Sequence, residues 1–381
     1  MPKHYCIENV FDAALDRMIK LYQEGHRVIV SFSAGKDSGI CLELCIIAAT
    51  MTGRLPVEVV MRDEEIMYPG TFEYAERMAN RPDVKFYWFY ANQPVVNIFN
   101  RQNPYFWVFD PLLSTDKWVR TPPDIAVKIH EQNIQGLISE EKFPPAKGKD
   151  LIAVLGLRTD ESMLRKMGLM SSKGYLTKGK NSYGTFYARP IYDWSDGDVW
   201  KAVRDNHWDY NKAYDVMHRL GVHRNKLRIA PPTLAPAAID GLMVASKAWP
   251  QWFDKVCERL PGVRTAGMFG RRSVEPIRRL GESWKECFYR TCIEEAPDWI
   301  ADRAQKVVNY VIRSHSRHST EEFPEVTKCP KCQMLSSWRN LSKIMYMGEP
   351  FSMKVKVDVL PYVEPEFFRD GAGTWGGKPT W

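Results

Sequence analysis

"VIVSFSAGKDSGICLELCIIA", residues 28–48, sets the reading of the whole chain. Val28, Ile29 and Val30 make "HRVIVSFS" a buried strand, because β-branched side chains pack well on a pleated surface. A short turn of serine, alanine and glycine ends it, and "GICLELCIIAATM" reads as a helix directly behind. A strand that turns through glycine into a helix aims backbone N–H groups and a positive helix end at one spot, and that spot suits phosphate. Ser31, Ser33 and Ser38 add hydroxyl donors, Lys36 a mobile cation, and Asp37 a carboxylate able to hold Mg²⁺ against phosphate oxygens. The spacing is not that of the Walker loop, GxxxxGK[ST]. The bland alternative is a surface turn that happens to contain lysine and aspartate; the order strand, turn, helix argues against it.

The pattern repeats on both sides. Residues 8–24 form an amphipathic helix, with Val10, Phe11, Ala14, Leu15, Met18 and Leu21 at helical spacing. "PVEVVMRDE" is a second strand, a helix runs from about Thr71 to Ala79, "DVKFYWFYA" is a third strand, and "LIAVLGLR" is a fourth. This alternation predicts an α/β fold: a doubly wound, mostly parallel sheet with helices on both faces. Residues 97–123 are aromatic and irregular, in the manner of a functional or lid-like loop, and a helix is expected from Asp124. The Lys/Gly/Ser-rich stretch 166–184 is a flap candidate, and Ser195 with Asp198 forms a capping box that opens a further helix. After "APPTLAP" the chain turns mainly helical and ends in a loose tail, "DGAGTWGGKPTW". The domain division that follows is 1–240 and 241–381.

Composition bounds the class. The chain has 381 residues, enough for one large α/β domain with a smaller appendage, and 44% hydrophobic with 26% charged residues is ordinary for a globular protein. No window approaches the ~18 unbroken apolar residues of a membrane span. The first residues carry acids within their apolar pattern and do not read as a signal peptide. A cytoplasmic protein is expected, with its eight cysteines reduced or metal-bound. A net charge of +7 suits a polyphosphate or a nucleic acid and proves neither.

The loop SxSAGKDS resembles the SGGKDS pyrophosphate loop of the PP-loop superfamily, with Ala34 in place of the first glycine. "VLGLRTDES" is similar to the G-[IL]-R-x-[DE]-E-S segment of phosphoadenosine phosphosulfate (PAPS) reductase-like proteins. "RPIYDWSDGDVWKAVRDNHWDYNKAYD" is similar to their P-[IL]-x-D-W-[ST]-x-x-D-V-W…YNxxYD block. With "VVMRDEEIMYPGTFEYAERM" and "WVRTPPD", the likeness is nearest to the IbrA-like immunoglobulin-binding-regulator subgroup and its phage relatives, often paired with a ParB-like partner. It covers roughly residues 25 to 235 and recurs in "SSWRNLSKIM".

The resemblance implies an adenine nucleotide α-hydrolase-like fold that splits ATP between its α- and β-phosphates. Ser31, Ser33, Ala34, Gly35, Lys36, Asp37 and Ser38 would line the phosphates. Gly156, Arg158 and Glu161 would stand at the end of the fourth strand, with Arg158 clamping a phosphate or pairing with Asp160. Lys36, Asp37 and Arg158 are the catalytic candidates, and Asp37 the magnesium ligand. Asp63 and Glu65 would hold metal, water or ribose, or form a solvated acidic turn. Trp118 and Arg120 would cover adenine or acceptor, or be a core tryptophan beside a surface arginine. In the family, basic residues near Arg224 and Arg228 meet the substrate's phosphates.

True sulfonucleotide reductases need a thiol near the C-terminus in an ECGxH-type motif, and the last hundred residues contain none. ATP chemistry with adenylylation of an acceptor, for sulfur transfer or nucleic-acid modification, is therefore favoured over PAPS reduction. A catalytically idle nucleotide sensor acting through a ParB-like partner or nucleic acid is the third reading. "KCPKCQ" has zinc-knuckle spacing: Cys329 and Cys332 with Cys287 and Cys292 would make a four-sulfur zinc site, His315 and His318 are another candidate pair, and two exposed thiols on a turn is the alternative. Cys41 and Cys45 read as core. Two basic stretches, "HRLGVHRNKLR" and "RTAGMFGRRSVEPIRRL", are solvated faces or partner surfaces.

Overall fold

Three apolar runs, Val28–Val30, Val57–Met61 and Leu151–Val154, are almost wholly buried, as strands covered on both faces must be. In this computed structural model, which describes residues 7–130, 136–161, 166–169, 174–179, 183–232, 239–332, 337–350 and 363–369, they form the middle of a seven-stranded sheet. The strands are β1 (Arg27–Ser31), β2 (Val57–Arg62), β3 (Val84–Tyr90), β6 (Val127–Lys128), β7 (Leu151–Val154), β8 (Leu176–Lys178) and β9 (Thr185–Ala188); β4 (Gln93–Val96) and β5 (Tyr105–Val108) pair separately. The order in the large sheet is β6-β3-β2-β1-β7-β9-β8, parallel throughout except for β8 against β9. The chain therefore winds outward from β1 through β2 and β3, then resumes on the other side of β1 with β7. That reversal makes the carboxyl ends of β1 and β7 the topological switch point, where open α/β sheets bind ligands.

The chain divides into two compact units. The first comprises 1–93, 109–116 and 120–216; the second comprises 94–108, 117–119 and 217–381, so that residue 240 falls inside it. In the first, α1 (Val10–Gln23) starts at Asn9, whose side chain accepts from the amides of Phe11 and Asp12 at 2.9 Å each. It buries Ala14, Met18, Leu21 and Tyr22, one stripe at helical spacing. The next helix, α2 (Lys36–Thr52), is buried on nearly all sides and has no polar stripe, as suits a helix between sheet and neighbouring helices. It ends at Gly53 in the left-handed conformation. Then come α3 (Pro69–Ala79), α4 (Asp196–Asp205), opened by the Ser195/Asp198 capping box, and α5 (Ala213–Arg219).

The helix expected from Asp124 is absent from residues 124–130, where Pro123 precedes a turn and β6. The aromatic stretch 97–123 is not one open loop either. Tyr105, Phe106, Trp107 and Val108 are buried on β5 in the second unit, where Asn97 donates to the carbonyl of Pro261 (2.9 Å) and Tyr105 to that of Val363 (2.8 Å). The rest of that unit is mainly helical: α6 (Ile239–Ala248), α7 (Pro250–Arg259), α8 (Val263–Phe269), α9 (Trp284–Tyr289), α10 (Asp298–Ser316) and α11 (Trp338–Met345). Parts of the flap stretch 166–184 and the whole tail from 370 lie outside the described residues. No helix among the described residues is long and apolar enough to cross a membrane.

Candidate functional site

The turn between β1 and α2 is strained at one residue. Ala34 has φ of +54°, a left-handed conformation that costs an alanine roughly 1 kcal/mol. It persists because its surroundings fix it. Asn211, fully buried, donates from Nδ2 to the Ala34 carbonyl (3.0 Å) and to Thr71 Oγ1 (2.9 Å), and accepts the amide of Ala213 (2.9 Å). The Lys36 amide donates to Tyr214 Oη at 3.2 Å. On the loop's own side, Ser38 Oγ donates to the Gly35 carbonyl (3.0 Å) and accepts the Ser33 amide (3.3 Å). Gly35 caps α2 without a side chain, and the Tyr214 hydroxyl meets the first helical amide in its place. From the far side β7 presses close. A Cβ on Gly156 would stand 2.6–2.8 Å from the Asp37 carbonyl and the Ser38 nitrogen, so only glycine fits there.

Four charged side chains meet at this turn. Lys36 Nζ lies 3.1 Å from Asp37 Oδ2 and 3.3 Å from Asp196 Oδ1. Arg158 Nε lies 2.5 Å from Asp37 Oδ1, and its terminal nitrogen 3.5 Å from Asp196 Oδ1. Both cations are nearly inaccessible, Arg158 at 3% and Lys36 at 7% exposure, whereas Ser33 is exposed and Gly35, Asp37 and Asp196 are half-buried. Two buried cations thus share two acids at the rim, and the four charges are paired. Arg158 pairs with these acids and not with Asp160, and its own amide donates to Glu161 Oε2 (3.3 Å).

Asp63 and Glu65 do not form a solvated turn. Asp63 is fully buried; one oxygen accepts the Trp88 indole (2.9 Å), the other the Glu65 amide (3.0 Å) and the Arg120 guanidinium. Glu65 is equally buried, with φ of +56°, and accepts the Phe109 amide at 2.6 Å. Carboxylate oxygens this enclosed need such hydrogen-bond partners. Arg120, held by Asp63, stacks 4.0 Å over the Phe72 ring, so it is not a plain surface arginine. Ser31 ends β1, half-buried. Trp118, Arg224 and Arg228 belong to the second unit: Trp118 is half-buried, Arg224 exposed on a 3₁₀ turn, and Arg228 half-buried, donating to the Leu227 carbonyl (3.1 Å).

Asp196, Asn211 and Tyr214 were not singled out from the sequence. An aspartate at the first position of a helix is common for dipole reasons alone, so Asp196, beside the Ser195/Asp198 capping box, carries no signal of its own. Asn211 and Tyr214 stood inside the "YNKAYD" block as part of a resemblance, with no role attached.

The four-cysteine set is not assembled. Cys292 is buried in an apolar cluster with Phe288, Val308 and Trp338, its thiol donating to the Ser342 carbonyl (3.7 Å), and burial pushes it up to about 12. Burial also raises the Cys287 thiol. Among the described residues neither thiol joins the cluster that Cys329 and Cys332 form. The Cys329 thiol moves the other way, lowered chiefly by the Cys332 amide. Cys329 and Cys332 stand with His315; His318 is exposed. Cys41 and Cys45 are fully buried on α2, and burial raises both thiols.

Residues 27–221, just over half the chain, match the family model described as phosphoadenosine phosphosulfate reductase domain. An uncharacterised protein of Escherichia coli K12, YbdN, is 23% identical over 88% of this chain and 87% of its own length. Among solved structures, Candida glabrata FMN adenylyltransferase with FAD and inorganic pyrophosphate aligns at 10% identity and TM-score 0.36, over 54% of this chain and 58% of that one. PAPS reductase from Candida auris, a phosphate complex, aligns at 12% identity and TM-score 0.30, over 57% and 94%. The chain thus spans little more than half the length of the adenylyltransferase.

Proposed function

Given that the chain belongs to the phosphoadenosine phosphosulfate reductase domain family, we propose that it is a PP-loop enzyme that binds ATP at the turn Ser31–Ser38 and adenylylates an acceptor. The observation that carries the reading is the pair of buried cations, Lys36 and Arg158, beside a glycine-capped helix start at the switch point of the sheet. Asp37 and Asp196 hold them. A phosphate chain replaces those contacts with its own oxygens, and the loop serines and amides supply the neutral donors.

In the reaction a nucleophile of the acceptor attacks the α-phosphorus. The bond from that phosphorus to the bridging oxygen breaks, the electron pair leaves with pyrophosphate, and the acceptor's proton passes to solvent. Lys36 and Arg158 stabilise the charge that grows on the leaving pyrophosphate, more strongly for being shielded from water. Asn211 and Tyr214 are positioning residues, since they fix the turn through Ala34 and Lys36. The resemblance implies magnesium with ATP, and the donor set fits it: Asp37 and Asp196 both offer hard carboxylate oxygens at the rim. When bound there it would neutralise phosphate charge. Asp63 and Glu65 enter as supports for Arg120 and the β2 end, with Arg120 the residue of that group nearest to a binding role. The adenylylated product is an activated acceptor of the kind that sulfur transfer or nucleic-acid modification requires.

The thiol chemistry argues against reduction of PAPS. In the first unit the described cysteines, Cys41 and Cys45, are buried and their thiols raised, which leaves neither poised as a nucleophile. The test is product identification with α-labelled ATP and, separately, with PAPS and a thiol donor. AMP or an adenylylated acceptor with pyrophosphate is expected. Sulfite from PAPS would establish the reductase reading instead, and tight ATP binding without turnover across candidate acceptors, a ParB-like partner included, would establish the idle sensor.

A further inference from the structure

Beyond α10, residues 317–332 form no strand or helix, yet they return to one point on the last turn of α10. There His315 Nδ1 lies 3.3 Å from Cys332 Sγ, and the ligand atoms of His315, Cys329 and Cys332 all fall within 4.8 Å of one another. His315 and Cys329 are buried and Cys332 is half-buried. The other imidazole nitrogen, Nε2, is 2.9 Å from the carbonyl of Glu321. A carbonyl only accepts, so Nε2 carries the proton and Nδ1 turns its lone pair toward the two sulfurs. This is the way a backbone oxygen orients a metal-ligating histidine. The Glu321 side chain meanwhile pairs with Lys331, between the two cysteines, at 2.7 Å. One residue therefore fixes both halves of the cluster. The Phe323 ring packs edge-on against the imidazole at 5.4 Å.

From this arrangement we propose that His315, Cys329 and Cys332 bind a zinc ion, a site independent of the nucleotide reading. Tetrahedral zinc with the usual bond lengths places its sulfur and nitrogen ligands about 3.5–3.8 Å apart. The side chains stand near that spacing and need only small adjustments. Two thiolates and a neutral imidazole balance the dication, which suits a buried position. The ion lies by the carbonyl end of α10, where the helix dipole favours a cation. No other histidine, cysteine or acid among the described residues joins the set. The zinc ties the connection to the helix that precedes it, beside the one apolar anchor described there, Phe323 against Trp338.

The experiment is metal analysis of the full-length chain purified under reductant, with wild type, Cys329→Ser, Cys332→Ser and Cys292→Ala compared. About one zinc per chain is expected in the wild type and in Cys292→Ala, falling to background in the two serine variants. Cobalt substitution of the wild type adds a measurement free of any folding defect: a thiolate-to-cobalt charge-transfer band with tetrahedral d–d absorption is expected. The proposal is overturned if the wild type takes up no zinc and cobalt gives no such band. It is also overturned if Cys292→Ala loses zinc as fully as Cys332→Ser. Recovery of metal-free protein with Cys329 and Cys332 joined as a disulfide would overturn it in favour of a redox pair.

Discussion

Asp196→Asn separates a placeholder from a permanent partner. Asp196 Oδ1 sits 3.3 Å from Lys36 and 3.5 Å from Arg158. At an effective dielectric constant near 20, each contact has a gross attraction of about 5 kcal/mol. The acid is half-exposed, and desolvation offsets most of that, leaving about 0.5–1 kcal/mol net per contact. A phosphate chain that takes over both cations must displace these contacts, so they oppose binding by about 1–2 kcal/mol in total, which is about five- to thirtyfold in affinity. Titration calorimetry with inorganic pyrophosphate, in EDTA to remove any metal contribution, should show Asp196→Asn binding about five- to thirtyfold more tightly than wild type. The ligand-free variant should melt lower, because two buried cations then share one acid. Unchanged or weaker pyrophosphate binding by a folded variant would refute the placeholder argument.

Two substitutions probe how the turn is held. Asn211→Ala removes three hydrogen bonds and leaves the buried Ala34 carbonyl without its side-chain donor, so denaturant unfolding should show a loss of about 2–4 kcal/mol, and pyrophosphate affinity should fall with it. A stable variant with unchanged affinity would remove Asn211 from the positioning of the turn. Gly156→Ala drives a methyl group into the Asp37–Ser38 backbone and should cost about 1–3 kcal/mol, with a displaced turn and weaker binding; a neutral result in both assays would contradict the close approach of β7.

Local signals carried the sequence reading as far as they reached. The strand, turn and helix at 28–48 are legible because strand propensity, glycine punctuation and an apolar helix agree within twenty residues. The Ser195/Asp198 capping box is equally local, and the structure contains it. The contacts that build the cluster are not local. Asn211 meets Ala34 across 177 positions and Arg158 meets Asp37 across 121, and no periodicity encodes such pairs. The acidic turn "RDEE" shows why charge misleads in isolation: Asp63 is buried because Trp88, Arg120 and a backbone amide all converge on it. The cysteines divide by the same logic. Cys287 and Cys292 are buried on helical turns, Cys292 within an apolar cluster, whereas the knuckle at Cys329 and Cys332 is a turn that a histidine on α10 can reach.

The central claim is that the turn after β1 grips a phosphate chain, and the most direct measurement is pyrophosphate binding to wild type and to Lys36→Ala. One site per chain is predicted for the wild type, weakened about ten- to a hundredfold by loss of the charge-assisted contact. A wild type that binds no pyrophosphate, or a Lys36→Ala chain that binds it equally well, would contradict the account.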